Sequence, residues 1–368
     1  MNRPHFLPVI TPTSLAESII IVPDGGQGHG IDDISVRRLA NACRCPVVAQ
    51  CDVDSTIFKQ AHVIACGHLA SNSAIARLYN ARACFVDTFF PGGDSYLVRS
   101  VRDPFGHGRN AIVAGASSRI GLGDALAVLA ELVEAADGTL GRVCAQRIDG
   151  LAEPPRPGDI ENLIRQDLAT WEGGWVSSPF RSGKLRHYLW QHYLSDHEAW
   201  GALVAGIFVG SLAPWRQQRL ECPEEYHDFF HLDQFIRLWD LIEDHPVYTG
   251  QREAVVELLT EFLRHLSGLF YLQEEINPDG LPRQNHVTFI GLNLSVGHEY
   301  LSRRHGVTEF AEMAERVGRI FAGQATCYKP NDDAGVGYAW HVPWHTHDYL
   351  LAQEDYTYLD DGHVADLC

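Results

Sequence analysis

Residues 149–161 read Asp-Gly-Leu-Ala-Glu-Pro-Pro-Arg-Pro-Gly-Asp-Ile-Glu. Proline lacks the N–H that a helix interior or an inner strand needs, so three prolines crowded among small and acidic residues mark a linker. The chain differs on its two sides. All eight tryptophans and fourteen of the nineteen histidines follow residue 150. This asymmetry predicts one domain over 1–150 and a second over 151–368.

Before the linker, strand-like and helix-like stretches alternate. Ser18–Pro23, Pro46–Ala49, His62–Cys66, Ser95–Val101 and Asn110–Ala114 are short β-branched or alternating runs. Ile34–Ala42, Ser71–Asn80 and Asp124–Ala135 carry helical patterns. The alternation predicts an α/β sandwich. After the linker the strand signal almost vanishes. Helical periodicity runs over 159–171, 184–196, 199–212, 228–243, 253–272, 286–304 and 308–322, with Phe229, Leu232, Phe235, Ile236 and Trp239 forming one apolar stripe. Turns such as His245-Pro-Val-Tyr-Thr-Gly250 and Asn277-Pro-Asp-Gly-Leu-Pro282 separate the helices. Successive helical hairpins of this kind build bundles, solenoids or closed α/α toroids. The last residues, 356–368, look like the start of a further helix, so the helical architecture is expected to be incomplete.

Composition narrows the function classes. Of 368 residues, 45% are hydrophobic and 21% charged, which excludes a disordered chain. A net charge of −18 argues against nonspecific binding to nucleic acid or to an anionic membrane, though a local basic pocket can still hold an acidic substrate. No run of about 18 apolar residues predicts a membrane span. Pro8, Pro12 and Glu17 interrupt the N-terminal apolar stretch, so no secretory signal is legible and a cytoplasmic location is favoured. Nine cysteines, an odd number with no Cys-x-x-Cys pair, predict reduced and mostly buried thiols.

Gly115-Ala-Ser-Ser-Arg-Ile-Gly-Leu-Gly123 follows a strand and opens a helix, as a dinucleotide-binding loop does. It belongs to the last strand–helix unit of its domain rather than the first. No acidic residue ends a following strand, and no tyrosine has a lysine four residues later. The motif is read as a packing turn, and no cofactor is expected.

The stretches Val63–Tyr79 (VIACGHLASNSAIARLY) and Asp94–Leu132 (DSYLVRSVRDPFGHGRNAIVAGASSRIGLGDALAVLAEL) resemble the small α/β domain that precedes the catalytic domain in α-glucuronidases and hexosaminidases. Such domains usually carry no catalytic residues. In the second half, Leu281-Pro-Arg-Gln-Asn-His-Val-Thr288 opens a helix, and Tyr338 follows 52 residues after His286 within Gly335-Val-Gly-Tyr-Ala-Trp-His-Val-Pro-Trp-His-Thr-His347. This Asn-His…Tyr pattern, with Phe235–Tyr248, resembles α/α-toroid polysaccharide lyases of the alginate-lyase and heparinase-like group. The resemblance implies an (α/α)-toroid-like domain and β-elimination on an acidic, uronate-containing polysaccharide or oligosaccharide.

The chemistry needs these residue types. Elimination begins with loss of the uronate C5 proton, and charge then builds on the neighbouring carboxylate. Asn285 is the neutral donor for that charge. His286 or Tyr338 is the base, and the Tyr338 hydroxyl is the acid that protonates the leaving oxygen. Arg283 is a bidentate partner for the carboxylate. Trp340, Trp344 and Trp239 offer ring faces to sugars, and His341 and His345 line the cleft. His341 and His345, four residues apart, with His347 and Asp348 also resemble a zinc ligand set, but Pro343 between them is expected to break the helix, and no metal is assigned. Two alternatives remain. One is a glycoside hydrolase using carboxylates among Asp233, Asp240, Glu243, Glu274 and Glu275. The other is a non-catalytic glycan-binding fragment.

Overall fold

A computed structural model describes residues 12–24, 33–169, 183–221, 231–269, 285–326 and 341–362. The chain divides into two compact units. One comprises Pro8–Ala152 with Leu194–Asp196; the other comprises Met1–Leu7, Glu153–Tyr193 and His197–Cys368.

The first unit is α/β with a mixed sheet. Its elements are β1 (Thr13–Ser14), β2 (Ser18–Val22), α1 (Asp33–Cys43), β3 (Val47–Ala49), α2 (Ile57–Gln60), β4 (His62–Gly67), α3 (Ser73–Asn80), β5 (Tyr96–Val101), β6 (Ala111–Ala116), α4 (Arg119–Glu134), β7 (Thr139–Leu140) and β8 (Cys144–Arg147). The main sheet has the order β3-β2-β4-β6-β5-β8. Strands β3, β2, β4 and β6 are parallel, whereas β5 and β8 are antiparallel to their neighbours. Placing β3 and β4 on opposite sides of β2 makes the sheet doubly wound. Strands β4 and β6 are buried at every position, which is why they read as continuous apolar runs. One face, through Ile20, Ile64, Cys66, Ile112 and Ala114, packs with Leu39 of α1 and Leu126 and Leu129 of α4. Strand β8 was not legible in advance: only its pairing with β5 makes Cys-Ala-Gln-Arg a strand.

The Gly115–Gly123 segment is tightly packed. A Cβ at Gly115 would lie 2.6 Å from a methyl of Val86, and one at Gly121 would lie 2.5 Å from the Ser95 carbonyl oxygen. Ser118 caps α4 by accepting from the Gly121 N–H at 3.1 Å. Close packing accounts for both glycines.

The second unit is helical: α5 (Ile160–Ala169), α6 (Gly183–Ser195), α7 (Glu198–Glu221), α8 (Leu232–Ile242), α9 (Arg252–Ser267), α10 (Asn285–His305), α11 (Ala311–Ala325), α12 (His341–Ala352) and α13 (Thr357–Asp360). Side-chain contacts fix their directions. Arg186 of α6 bonds Gln234 of α8, and the His192 ring meets His245 just past α8. The Asp233 N–H donates to Asn293 Oδ1 at 2.8 Å, and Trp239 reaches Tyr300. Asn285 meets His341, and Thr288 meets His345. Residue numbers rise together in every pair, so α6, α8, α10 and α12 run parallel in one layer. Helices α5, α7 and α9 run parallel in a second layer: Gly206 and Gly210 seat Ile164 and Leu168, and Trp215 stacks on Phe262. Helix α11 follows α10 after a five-residue connection and packs back on it, with Val317 and Phe321 at Gly291. The chain thus alternates between layers, one hairpin after another.

Two prolines behave otherwise than the sequence predicts. Pro214 lies inside α7, which continues to Glu221 instead of stopping near Leu212. Beyond the proline, Trp215 stacks on Phe262, and Arg216 pairs with Glu257 and Glu261 of α9, so tertiary contacts outweigh the lost backbone bond. Pro343 does not break α12. The described helix runs from His341 through Pro343 to Ala352. The stretch Glu198–Gln217 of α7 is also long and apolar enough, by length and composition, to cross a bilayer, and 56% of it is buried inside the unit against α5 and α9.

Candidate functional site

The first described residues of α10 and α12, Asn285 and His341, meet side by side, while α8 starts level with Asn293 of α10. This part of α10 and α12 carries the amide and the imidazoles.

Asn285 is 5% exposed, and its Nδ2 lies 3.5 Å from His341 Nδ1. One turn deeper, the fully buried Thr288 donates to the Asn285 carbonyl at 2.9 Å. Its oxygen also lies 2.8 Å from His345 Nδ1. A hydroxyl has one proton, so with that proton on the carbonyl the Thr288 oxygen accepts from the imidazole. This assigns the His345 proton to Nδ1. Burial, and after it the neighbouring His341, pushes the His345 pKa down to about 3, so the ring is neutral at ordinary pH. Phe289 packs on both rings, at 4.0 Å from His345 and 5.3 Å from His341. The two imidazoles stack at 6.1 Å, and His341 is half-buried above His345. Trp344 stacks on His345 at 5.7 Å while remaining 53% exposed. The result is an amide, an accessible imidazole and an exposed indole over a neutral, immobilised histidine.

The candidate residues separate into three groups. Asn285, His341 and Trp344 belong to this part. His286 is half-buried in the first turn of α10, and adjacent helical residues point about 100° apart, so it does not share the face of Asn285. Arg283, Tyr338 and Trp340 lie outside the described residues, two residues before Asn285 and three and one before His341. Two substrate-contact assignments need correction. His345 is 3% exposed, with Nδ1 committed to Thr288, so it supports the site from beneath. Trp239 is fully buried; its Nε1–H donates to Tyr300 at 2.8 Å and its ring meets Phe208 and Tyr248. An apolar stripe position on α8 put it in the core.

A second polar cluster joins α8 to the far end of α10. The Tyr300 hydroxyl donates to Glu243 Oε2 at 2.5 Å, and His305 Nε2 lies 2.9 Å from that hydroxyl and 3.2 Å from the same carboxylate oxygen. Arg304 reaches Asp240 Oδ1 at 2.5 Å, Glu243 at 3.4 Å and Asp244 at 3.4 Å, and Arg303 also pairs with Asp240. Burial favours the neutral acids, but the His305 hydrogen bond and Arg304 outweigh it at Glu243, and Arg303 and Arg304 outweigh it at Asp240. Both carboxyls are held below their ordinary pKa. Burial and the Glu243 charge raise the Tyr300 pKa well above that of a free phenol. Each of these carboxylates faces a guanidinium, which fits Asp240 and Glu243 as structural acids. The hydrolase alternative loses both of them, and Glu274 and Glu275 lie outside the described residues. Sequence spacing could not find this cluster, because its members come from helices about 60 positions apart.

Asp233 differs. It is 7% exposed, and burial, opposed by Arg237 and reinforced by Asp348, pushes its pKa up to about 6. Arg237 is itself paired with Asp348 at 2.8 Å.

Comparison with protein-family models, with curated proteins and with solved structures finds no match for this chain.

Proposed function

We propose that the chain carries out β-elimination on an acidic, uronate-containing polysaccharide, and that its helical hairpins form an (α/α)-toroid-like arc. The observation that carries the reading is the meeting of Asn285 with His341 on neighbouring helices α10 and α12, beside the exposed Trp344.

In this reading Asn285 Nδ2 donates to the substrate carboxylate as charge builds on it. The His341 imidazole takes the C5 proton. The C4–O4 bond breaks, the C4–C5 double bond forms, and the Tyr338 hydroxyl protonates the leaving oxygen. Arg283 pairs with the carboxylate, and Trp344 and Trp340 stack on sugar rings. The preceding α/β domain acts as an accessory module.

The test is incubation with alginate, glucuronan and glycosaminoglycans, following the ultraviolet absorbance of the new double bond. Asn285→Ala and His341→Ala are each expected to lower turnover by about 10²–10³-fold while leaving the unfolding transition in place. Cleavage without the absorbance identifies a hydrolase. Calorimetric binding without cleavage identifies a non-catalytic glycan-binding protein. Full turnover by both variants overturns the assignment.

A further inference from the structure

Helix α1 has two faces. Leu39 and Cys43 lie buried in the core of the sheet. Ile34, Arg37, Arg38 and Asn41, at the i, i+3, i+4, i+7 spacing of a single helix face, stand in solvent, and Ile34 is 73% exposed. This face and Ala42 meet Glu134, the last residue of α4, around an open groove of about 420 Å³. Small ligands fill sites of roughly 300–1,000 Å³. Both Glu134 oxygens are committed: Arg38 Nε donates to Oε1 at 2.8 Å and Arg38 Nη2 to Oε2 at 2.7 Å. A fork between exposed partners contributes little to stability, but it fixes the plane of a guanidinium whose Nη1 makes no hydrogen bond among the described residues. Glu131, one turn earlier on α4, also acts on Arg38. Arg37 adds a second guanidinium, and Asn41 an exposed amide. Two guanidiniums and one carboxylate therefore line this groove on a chain of net charge −18.

We propose that the α1–α4 groove is a second, non-catalytic sugar site, which holds an acidic polysaccharide by its carboxylate groups. The choice of a uronate rests on the elimination reading; the shape and charge of the groove do not. Arg37 pairs with the sugar carboxylate. Arg38 Nη1 and the Asn41 amide hydrogen-bond the ring hydroxyls, and Ile34 and Ala42 take the apolar C–H face of the ring. A hydrogen bond between a guanidinium and a carboxylate is about twice as strong as one between neutral groups, so the site prefers an anionic sugar to one that offers hydroxyls alone. The groove is open rather than enclosed, so a polymer can lie across it without threading. Both guanidiniums are exposed, so added salt weakens the attraction.

The experiment runs the native full chain through affinity gels that contain alginate, glucuronan or a glycosaminoglycan, with dextran as the neutral polymer. At least one acidic polymer is expected to retard the chain, and dextran is not. Arg37→Gln combined with Asn41→Ala is expected to weaken the apparent affinity about tenfold while leaving the unfolding midpoint in place, because both side chains are exposed. Arg319→Gln removes one exposed positive charge from α11 and is expected to change nothing. Retardation that is undiminished by the double substitution, or that Arg319→Gln weakens equally, overturns the proposal. So does retardation by dextran, or by no polymer at all. Release of the chain by inorganic phosphate, at an ionic strength where chloride does not release it, identifies a general anion site and overturns the sugar assignment. The outcome is separable from turnover. A chain retarded through Arg37 that gives no unsaturated product keeps the groove and loses the elimination, whereas an active chain whose retardation ignores Arg37 keeps the elimination and loses the groove.

Discussion

The two ends of α10 bury polar groups in opposite ways. At the C-terminal end Tyr300, Arg304 and His305 close on Asp240 and Glu243, and every charge faces an opposite one. At the other end Asn285, Thr288, His341 and His345 bring together an amide, a hydroxyl and two imidazoles, and an indole stands exposed beside them. One helix thus carries an ionic lock at one end and a polar, aromatic cluster at the other. Buried charges persist only when matched, so a matched cluster is evidence of architecture, whereas polar groups beside an exposed aromatic are a better place to look for a ligand.

The largest expected effect tests the lock. Arg304→Met leaves Asp240 and Glu243 without their shared cation and should destabilise the fold by about 3–5 kcal/mol in urea unfolding. A loss below about 1 kcal/mol would mean that the cluster is not load-sharing.

The other end makes a pH prediction with two opposed parts. His345 has a folded pKa of about 3 against an ordinary value near 6.5, so between those values the unfolded chain binds the extra proton and stability rises with pH. Asp233 has a folded pKa of about 6 against an ordinary value near 3.9, so between those values the folded chain holds the extra proton and stability falls with pH. From about pH 4 to 6 the two slopes, each on the order of 1.4 kcal/mol per unit, oppose each other. Asp233→Asn should leave a stability that climbs with pH across that window, and His345→Gln one that declines. Unchanged slopes in both variants, measured by urea titration at several pH values, would remove the His345 and Asp233 assignments.

The smallest effect separates binding from stability. Trp344→Ala should shift thermal unfolding little, because the ring is 53% exposed. In the proposed reading it should weaken binding of an acidic oligosaccharide by about 1 kcal/mol, read by calorimetry. A loss of stability without a loss of binding would make Trp344 a packing residue.

Much of the α/β unit was legible. Runs such as His62–Cys66 and Asn110–Ala114 are apolar enough to announce inner parallel strands, and the helical period of α4 is legible from Asp124 on, although the helix itself begins at Arg119. Strand β8 was hidden, because a four-residue edge segment has no pattern of its own. In the helical unit the hairpins were legible and some ends were not: Pro214 is tolerated inside α7 because of contacts with a neighbouring helix, and α12 runs through Pro343. For the site, Asn285 stood out by its motif. Its partner did not: the adjacent His286 was the natural choice, whereas His341, 56 residues away, is the imidazole that Asn285 meets.

By itself the sequence determined an alternating α/β half followed by a helical half, because burial periodicity and proline punctuation are local properties that each segment carries alone. Tertiary structure alone decided that α6, α8, α10 and α12 run parallel, that Glu243 and Arg304 neutralise each other in the interior, and that Asn285 faces His341. These depend on contacts between segments many turns apart, and the energy of burying a charge or an amide is set by what the rest of the fold brings against it.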